Sequence, residues 1–199
     1  MERKRIYEYK PSFILGFHGC DREVGEAVLS GKQPHLKPSE NRYDWLGHGV
    51  YFWEGNYERA MEWACAHGAD PFVIGAVIDL RHCLDLFDRA AIKEVQNTYE
   101  LLAQLAKQEG WALPRNTGKT PDRPARKLDC MVMNVLLEVS KKEQAQASGD
   151  GVEPYDTVRG PFLEGKPIYP DAGFRSQTHI QINVRDPQAC IKGYFRPLV

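Results

Sequence analysis

The sequence predicts an α+β fold with a mixed or antiparallel β-sheet. Short apolar segments typical of strands alternate with amphipathic segments typical of helices in the first half of the chain. The last strand-like segments are separated by loops with no crossover helix between them, which does not fit a purely parallel, doubly wound sheet. The length of 199 residues, with 42% hydrophobic and 27% charged residues, favours one globular domain over residues 1–199.

The first half of the chain contains three predicted strands and two predicted helices. Asp21 is placed to cap the first helix, and Gly31 to end it. Asn56 and Gly68 have the same roles for the second helix. The predicted strands are segments 12–17, 48–53 and 72–80, each apolar and bounded by glycine, proline or polar residues.

The second half begins with a long helical pattern that Asp88 opens and Gly110 ends. Asp129 is the predicted N-cap of another helix, and the two helices form a helical insert at about 85–145. Prolines and glycines in segment 160–174 predict an extended, irregular chain, while 178–184 and 189–197 are predicted strands. The loop between the two helices carries a cluster of basic residues: Arg115, Lys119, Arg123, Arg126 and Lys127.

Composition and charge exclude several classes of protein. The net charge of −1 gives no global field that would attract nucleic acid, although a local basic patch remains compatible with it. No apolar run approaches the roughly 20 residues of a membrane helix, and the apolar run at 13–17 is too short for a signal peptide. Five cysteines without a CxxC spacing predict neither a zinc site nor a disulfide framework. We therefore expect a cytoplasmic protein with no membrane segment and no metal.

The segment Gly16–Gly19 places a histidine at the end of a buried strand, directly before a glycine. Taken alone, this pattern is more often a strand-end histidine before a turn. As a binding site, Gly19 would let a ligand approach the backbone closely, and its N–H and C=O would bind a primary amide. His18 would then donate a hydrogen bond to a ligand hydroxyl.

The segment Tyr43–Glu54 combines closely spaced glycines with three consecutive aromatic residues. In a strand, Tyr51 and Trp53 point to one face and Val50 and Phe52 to the other, so one face is expected to belong to the core. Gly49 lies two residues before Tyr51 and is expected to leave space on the tyrosine's own face. A planar ring would fit into that space and stack on the tyrosine.

A third candidate lies on the predicted strand 178–184, in which polar and apolar residues alternate strictly. His179, Gln181 and Asn183 share one face of this strand. An edge strand with a solvated polar face has the same pattern, so the segment alone leaves both interpretations open.

Taken together, the three segments resemble the ADP-ribosyltransferase superfamily, in the branch of diphtheria toxin and the poly(ADP-ribose) polymerases. The signature of that branch is a histidine, a tyrosine and a glutamate on three strands around an NAD cleft. The first element is matched by Phe17-His18-Gly19 and the second by Gly47–Phe52, and the third strand lies where it is expected. The resemblance covers roughly residues 13–65 and 175–197. It implies a split β-sheet of the ADP-ribosyltransferase type, in which the helical insert has no counterpart.

The resemblance assigns roles to individual residues around NAD, which would be a substrate. His18 would hold a ribose hydroxyl, and the backbone of Gly19 would clamp the carboxamide of nicotinamide. Tyr51 would stack on the nicotinamide ring, with Gly49 making room for it. The second stacking tyrosine of the polymerase branch falls on Glu62, which makes the neighbouring Trp63 the candidate for that position.

The sequence departs from the family signature at the glutamate position, which falls on Gln181. An amide can hold a ribose hydroxyl but cannot act as a general base, which favours a single transfer over polymer synthesis. Two residues are candidates for the missing chemistry. His179 shares a strand face with Gln181 and has a usable pKa. Glu164 lies where the superfamily places its target-recognition loop.

The sequence therefore predicts an NAD-dependent mono-ADP-ribosyltransferase, as an intracellular toxin or phage-defence effector with an antitoxin as a further partner. The acceptor is a nucleic acid or a protein, and the basic loop and Gln181 favour nucleic acid slightly. Three alternatives stay open: an NAD glycohydrolase, an enzyme resembling RNA 2′-phosphotransferases, and a module that binds NAD or ADP-ribose without catalysis. Gln181 is the residue that supports the last of these.

Overall fold

The computed structural model describes residues 13–118, 125–146 and 153–198. Lys119 and Arg123 of the basic loop lie outside these residues. The helices are α1 (Arg22–Leu29), α2 (Tyr57–His67), α3 (Arg89–Glu109), α4 (Lys127–Gln146) and α5 (Pro187–Cys190). The strands are β1 (Phe13–Asp21), β2 (Val50–Glu54), β3 (Pro71–Asp79), β4 (Cys83–Asp85), β5 (Thr157–Phe162), β6 (His179–Val184) and β7 (Ile191–Phe195).

The strands form one seven-stranded sheet in the order β4-β5-β6-β2-β1-β3-β7. β4 pairs with β5 in parallel, and the other neighbouring strands pair antiparallel. This arrangement confirms an α+β fold with a mixed sheet. β1, β2 and β6 are neighbours in its centre, so the three candidate segments lie on adjacent strands.

Capping residues explain why most predicted helix ends are correct. The Asn56 side chain accepts a hydrogen bond of 2.9 Å from the N–H of Arg59 at the start of α2. Gly110 ends α3 in the left-handed conformation, with φ of 73°. The predicted cap at Asp129 is wrong, because α4 already begins at Lys127. The side chain of Asn116, in the preceding loop, caps α4 by accepting from the N–H of Leu128 at 2.9 Å.

Strand β5 extends from Thr157 into the segment 160–174, whose prolines and glycines predict an irregular chain. It forms because β6 and β4 pair with its two edges, which the local sequence does not reveal. Gly160 lies opposite Gln181, and a Cβ atom on it would come within 2.8 Å of the Trp45 ring. The short elements β4 and α5 are likewise missing from the prediction.

The two faces of the sheet pack against different layers. One face buries Val50 and Phe52 of β2 in the main core, as the alternation of side chains predicts, together with Ile74 and Ile182. The other face packs against α3 and α4 through a second cluster of buried residues, which are Leu46, Leu84, Ala91, Met133, Leu136, Leu137 and Val158. The helical insert therefore supports the chain that leads into β2. Within the described residues, no helix has the length and apolar character that a membrane crossing requires.

Candidate functional site

Strands β1 and β2 pair over a short distance and then separate. Their register consists of Gly16 with Glu54 and Phe17 with Trp53. The N–H of Gly55 donates to the carbonyl of Leu15 at 2.9 Å, so alternate residues of β1 present their peptide groups toward β2. Gly19 belongs to this set and lies beyond the paired region. Its N–H and C=O therefore face the gap between the strands.

A cleft of about 310 Å³ lies at this gap. Its walls come from β1, β2, α2, β5, β6 and two loops, and the described residues of the insert contribute none of its lining. The cleft brings together seven of the residues that the sequence singles out: His18, Gly19, Gly49, Tyr51, Trp63, Glu164 and Gln181. His179 is not among the residues that line it.

His18 bridges the two separating strands, with its Nδ1 2.7 Å from the carbonyl oxygen of Tyr51. A carbonyl oxygen only accepts hydrogen bonds, so Nδ1 carries the proton. Burial lowers the pKa of His18, which keeps the ring neutral at pH 7 and leaves Nε2 as an acceptor. The expected role is thus reversed, because His18 can accept a hydrogen bond from a ligand hydroxyl rather than donate one.

The neutral histidines make stability depend on pH. Burial lowers the pKa of both His18 and His179 below 6.5, whereas the unfolded chain takes up protons near that value. Stability is therefore present above this pH and is lost as the pH falls, by up to about 1.4 kcal/mol per pH unit for each histidine. Urea unfolding between about pH 7.5 and about pH 5.5 measures the slope. We expect His18→Gln to reduce the slope of the free energy of unfolding against pH by the amount that corresponds to about one bound proton. An unchanged slope would contradict a neutral His18 in the folded protein.

The two glycines next to the cleft are required for packing. A Cβ atom on Gly19 would overlap the carbonyl oxygen of Ala60 in α2. A Cβ atom on Gly49, whose φ is 155°, would overlap Oδ1 of Asn183. The predicted free space beside Tyr51 is therefore occupied by Asn183. The predicted site face of β6 is also incomplete, because the buried Asn183 side chain donates to loop carbonyls, including that of Leu46 at 2.8 Å.

Tyr51 is held rigidly in the wall of the cleft. Its hydroxyl donates to the carbonyl of Gly47 at 2.8 Å and accepts from the N–H of Leu46 at 2.9 Å. Burial raises its pKa well above the ordinary value, so the hydroxyl stays protonated. Gly47, with φ of 84°, packs directly against Leu137 of α4. The insert thus fixes the loop that orients the tyrosine ring.

Replacing Tyr51 by phenylalanine is expected to lower the free energy of unfolding by about 1–3 kcal/mol. The change leaves the N–H of Leu46 without its partner and the carbonyl of Gly47 with only the bond from Asn183, while it keeps the ring. Chemical denaturation measures the loss. The control is Tyr43→Phe, at an exposed tyrosine of the same loop, and it should leave stability unchanged. Equal stability of the two variants would show that the hydroxyl does not hold the loop.

Gln181 lines the cleft with part of its amide already engaged. Its Oε1 accepts from Nε1 of Trp45 at 2.5 Å, so the amide NH₂ is the group left to donate. The Trp45 ring packs against Phe162 with ring centroids 5.1 Å apart. The indole therefore fixes which way the amide points.

Glu164 reaches the cleft from the loop after β5 and is held there by Arg59 of α2. Nη2 of Arg59 donates to Oε2 of Glu164 at 2.6 Å, and Nη1 lies 3.5 Å from Oε2 of Glu62. Oε1 of Glu164 is not part of this bond. The ion pair therefore holds the Glu164 carboxylate at the same cleft as Gln181. Strand β6 itself contributes no carboxylate to this cleft.

His179 lies behind this ion pair instead of in the cleft. Its ring packs between Trp53 and Phe162, and Nδ1 donates to the carbonyl of Gln177 at 2.6 Å. Nδ1 is 3.9 Å from Oε2 of Glu164, and burial lowers the pKa of the ring. The single N–H of this neutral imidazole is used by Gln177, and its buried Nε2 has no hydrogen-bond partner in the described structure, so His179 packs behind Glu164 and does not line the cleft.

Trp63 lines the outer part of the cleft from α2. Its ring stacks on His67 with centroids 4.4 Å apart and planes at 18°, and it lies 6.1 Å from the Trp53 ring. The indole is partly exposed, which leaves ring surface for a ligand.

Several residues of the cleft were not among the sequence candidates, namely Lys37, Asn41, Asp44, Trp45, Arg59 and Phe162. Asp44 and Trp45 stand in the same stretch as the glycines, which is the only local signal for them. The Asp44 carboxylate accepts from Ser39 Oγ at 2.8 Å and from the N–H of Asn41 at 2.7 Å, although burial raises its pKa. It organises the loop at the mouth of the cleft.

Comparisons with known proteins find no matching family model, no matching curated protein and no matching solved structure. In the part of the chain that the structure describes, no three histidine, cysteine or acidic side chains cluster in a way that could hold a metal ion. The chemistry of the cleft is therefore interpreted from its own geometry.

Proposed function

We propose that this protein is an NAD-dependent mono-ADP-ribosyltransferase. The observation that supports the proposal is that one cleft contains a neutral histidine, an unpaired backbone edge and a fixed tyrosine ring from two separating strands. Gln181 and Glu164 face the same cleft from the other side. This is the set of groups that a nicotinamide riboside requires: a ring platform, an amide clamp and partners for ribose hydroxyls.

Nicotinamide would lie on the Tyr51 ring, with its carboxamide on the N–H and C=O of Gly19. Nε2 of His18 would accept a hydrogen bond from a ribose hydroxyl. The amide NH₂ of Gln181 would donate to a ribose oxygen. Trp63, at the outer side, would cover the exposed edge of the bound dinucleotide.

In the reaction, the bond between the nicotinamide nitrogen and C1 of the ribose breaks, and its electron pair leaves with neutral nicotinamide. The ribose passes through a state with oxocarbenium character, as in glycoside cleavage. A nucleophile of the acceptor then bonds to C1, and its proton leaves to solvent. The carboxylate of Glu164 would stabilise the positive charge that develops on the sugar, while the fixed ring and clamp hold the geometry.

The proposed role is that of an intracellular toxin or phage-defence effector, with an antitoxin as a partner of the free enzyme. Nucleic acid is the proposed acceptor. Lys119 and Arg123 belong to the basic loop that favours this class, and the described part of that loop includes Arg126 beside the cleft.

The test is to incubate the full chain with NAD labelled on the adenylate, together with cell lysate separated into protein, RNA and DNA. We expect label in one macromolecular fraction, lost in Tyr51→Ala and in His18→Ala. Free labelled ADP-ribose with no labelled macromolecule would identify an NAD glycohydrolase instead. Circular dichroism of each variant separates loss of the reaction from loss of the fold.

A second candidate function is a module that binds NAD or ADP-ribose without catalysis. Gln181, at the position where the resembling family has a glutamate, is the observation that favours it, because its Oε1 is already bonded to Trp45. Calorimetric binding of NAD with no release of nicotinamide, in the presence of all three lysate fractions, would establish this function and overturn the transferase.

A further inference from the structure

A second pocket, of about 300 Å³, lies between the start of α4 and the loop that precedes β2. It shares no lining residue with the cleft. Its lining includes the exposed basic residues Arg42, His48 and Lys127 and no acidic residue. Among the described residues, neither Arg42 nor Lys127 forms an ion pair. Arg42 and Lys127 therefore carry charges that no direct ion pair neutralises among the described residues, whereas Asp44 interacts with His48 and lies, like Asp129, close to Cys130.

Hydrogen bonds between the loop and α4 hold the walls of this pocket in place. Oδ1 of Asn134 accepts from the N–H of His48 at 2.9 Å, and Nδ2 of Asn134 donates to Sγ of Cys130 at 3.4 Å. The Cys130 thiol donates to the carbonyl of Asn41 at 3.5 Å. These contacts make the cavity a fixed feature of the fold, since they tie both walls together.

The lining of the pocket is mostly apolar and includes Pro114 and Met131. An apolar surface beside exposed cationic side chains suits a ligand that has a flat apolar part next to an anionic part. A nucleotide of a single strand has both, because its base can lie on apolar surface while its phosphate contacts basic side chains.

The loop between α1 and β2 connects the pocket with the cleft. Some residues of this loop line one site and some line the other. Asn41 and Trp45 line the cleft, while Arg42 and His48 line the pocket. Arg126, the neighbour of Lys127, lies beside the cleft and forms an ion pair of 3.2 Å with Asp129. Its guanidinium carbon lies 5.7 Å from the centre of the Trp45 ring and 4.8 Å from that of Phe162.

We propose that this pocket binds one nucleotide of a single-stranded nucleic-acid acceptor. The base lies on Pro114 and Met131, the flanking phosphates contact Arg42, His48 and Lys127, and the strand continues past Arg126 into the cleft. The transfer step of this inference rests on the proposed function, whereas the binding step does not require NAD. The sequence alone leans toward nucleic acid, and this pocket provides the structural reason.

Fluorescence anisotropy of labelled single-stranded RNA and DNA of about 12 nucleotides tests the inference on the full chain without NAD. We expect the double variant Arg42→Glu and Lys127→Glu to raise Kd by at least about 10-fold. The dependence of log affinity on log salt should weaken by about 0.7 for each phosphate contact removed. Parallel RNA and DNA titrations identify which strand is preferred.

The matched control is the double variant Lys141→Glu and Lys142→Glu, which makes the same two charge reversals at exposed lysines of the same helix. Lys141 lies about 21 Å along the helix from Lys127, so the control should change Kd by less than about two-fold. If the variant with Arg42→Glu and Lys127→Glu binds the oligonucleotides as tightly as the wild type, the inference is overturned. Displacement of the oligonucleotide by equimolar AMP also overturns it, because the pocket would then be a site for free nucleotides.

The wild-type protein separates failure of this inference from failure of the proposed function. A protein that releases nicotinamide from NAD but binds neither RNA nor DNA overturns the nucleic-acid site and leaves the NAD chemistry in place. Label found only in the protein fraction of the lysate overturns it as well. A protein that binds the oligonucleotides but never processes NAD supports the site and overturns the transferase.

Discussion

Replacing Glu164 by glutamine is expected to lower kcat for nicotinamide release by about 10²- to 10³-fold, with little change in KM for NAD. The substitution keeps the shape of the side chain and an oxygen that can accept from Arg59, but it removes the negative charge. In the proposed reaction the charge would matter more in the transition state, when the ribose becomes positive, than in the bound substrate. Steady-state kinetics of nicotinamide release measures both constants.

The matched control is Glu62→Gln, which removes the second carboxylate near Arg59. Glu62 does not line the cleft, and its side chain is 54% exposed, so kcat should change by less than about three-fold. If the two variants lose the same amount of activity, the effect comes from the Arg59 ion pairs and not from a carboxylate acting on the sugar. Thermal unfolding of both variants checks that the loop after β5 stays in place.

Replacing Gly49 by alanine is expected to lower the free energy of unfolding by more than about 3 kcal/mol. An added Cβ would overlap Oδ1 of Asn183 and lie 2.8 Å from the carbonyl oxygen of Val184. The φ of 155° at this position is also one that residues with a side chain rarely adopt. Displacing Asn183 would break its hydrogen bonds to the loop carbonyls that precede β2. Urea denaturation gives the difference.

Gly173→Ala is the control for this variant, because a Cβ there meets no atom within 4 Å and its backbone carries no positive φ. Its stability should match that of the wild type within about 0.5 kcal/mol. A stable Gly49→Ala protein would mean that the loop before β2 can shift away from β6. The rigid placement of Tyr51, on which the proposed stacking depends, would then be wrong.

Strand faces and helix ends could be predicted from the sequence where the pattern that specifies them lies in neighbouring residues. Alternation placed Val50 and Phe52 in the core and turned Tyr51 and Trp53 to the other face. Helix ends with their own capping residue, such as the one at Asn56, were correct for the same reason. The structure places His18, Tyr51 and Gln181 on adjacent strands around one cleft, whereas the roles toward NAD that the resemblance implies for them stay predictions.

Other features depend on residues that are distant in the sequence, and they are visible only in the folded structure. Helix α4 starts at Lys127 instead of the predicted Asp129 because a loop asparagine caps it. Strand β5 forms within a proline-containing segment because two strands pair with it. His179 was expected in the cleft because it shares a strand face with Gln181, but it is buried beside Trp53 and does not line the cleft. Residue type and spacing specify which way a side chain points along its own strand. What it then meets depends on elements brought close only by folding, and so does its freedom to bind a ligand.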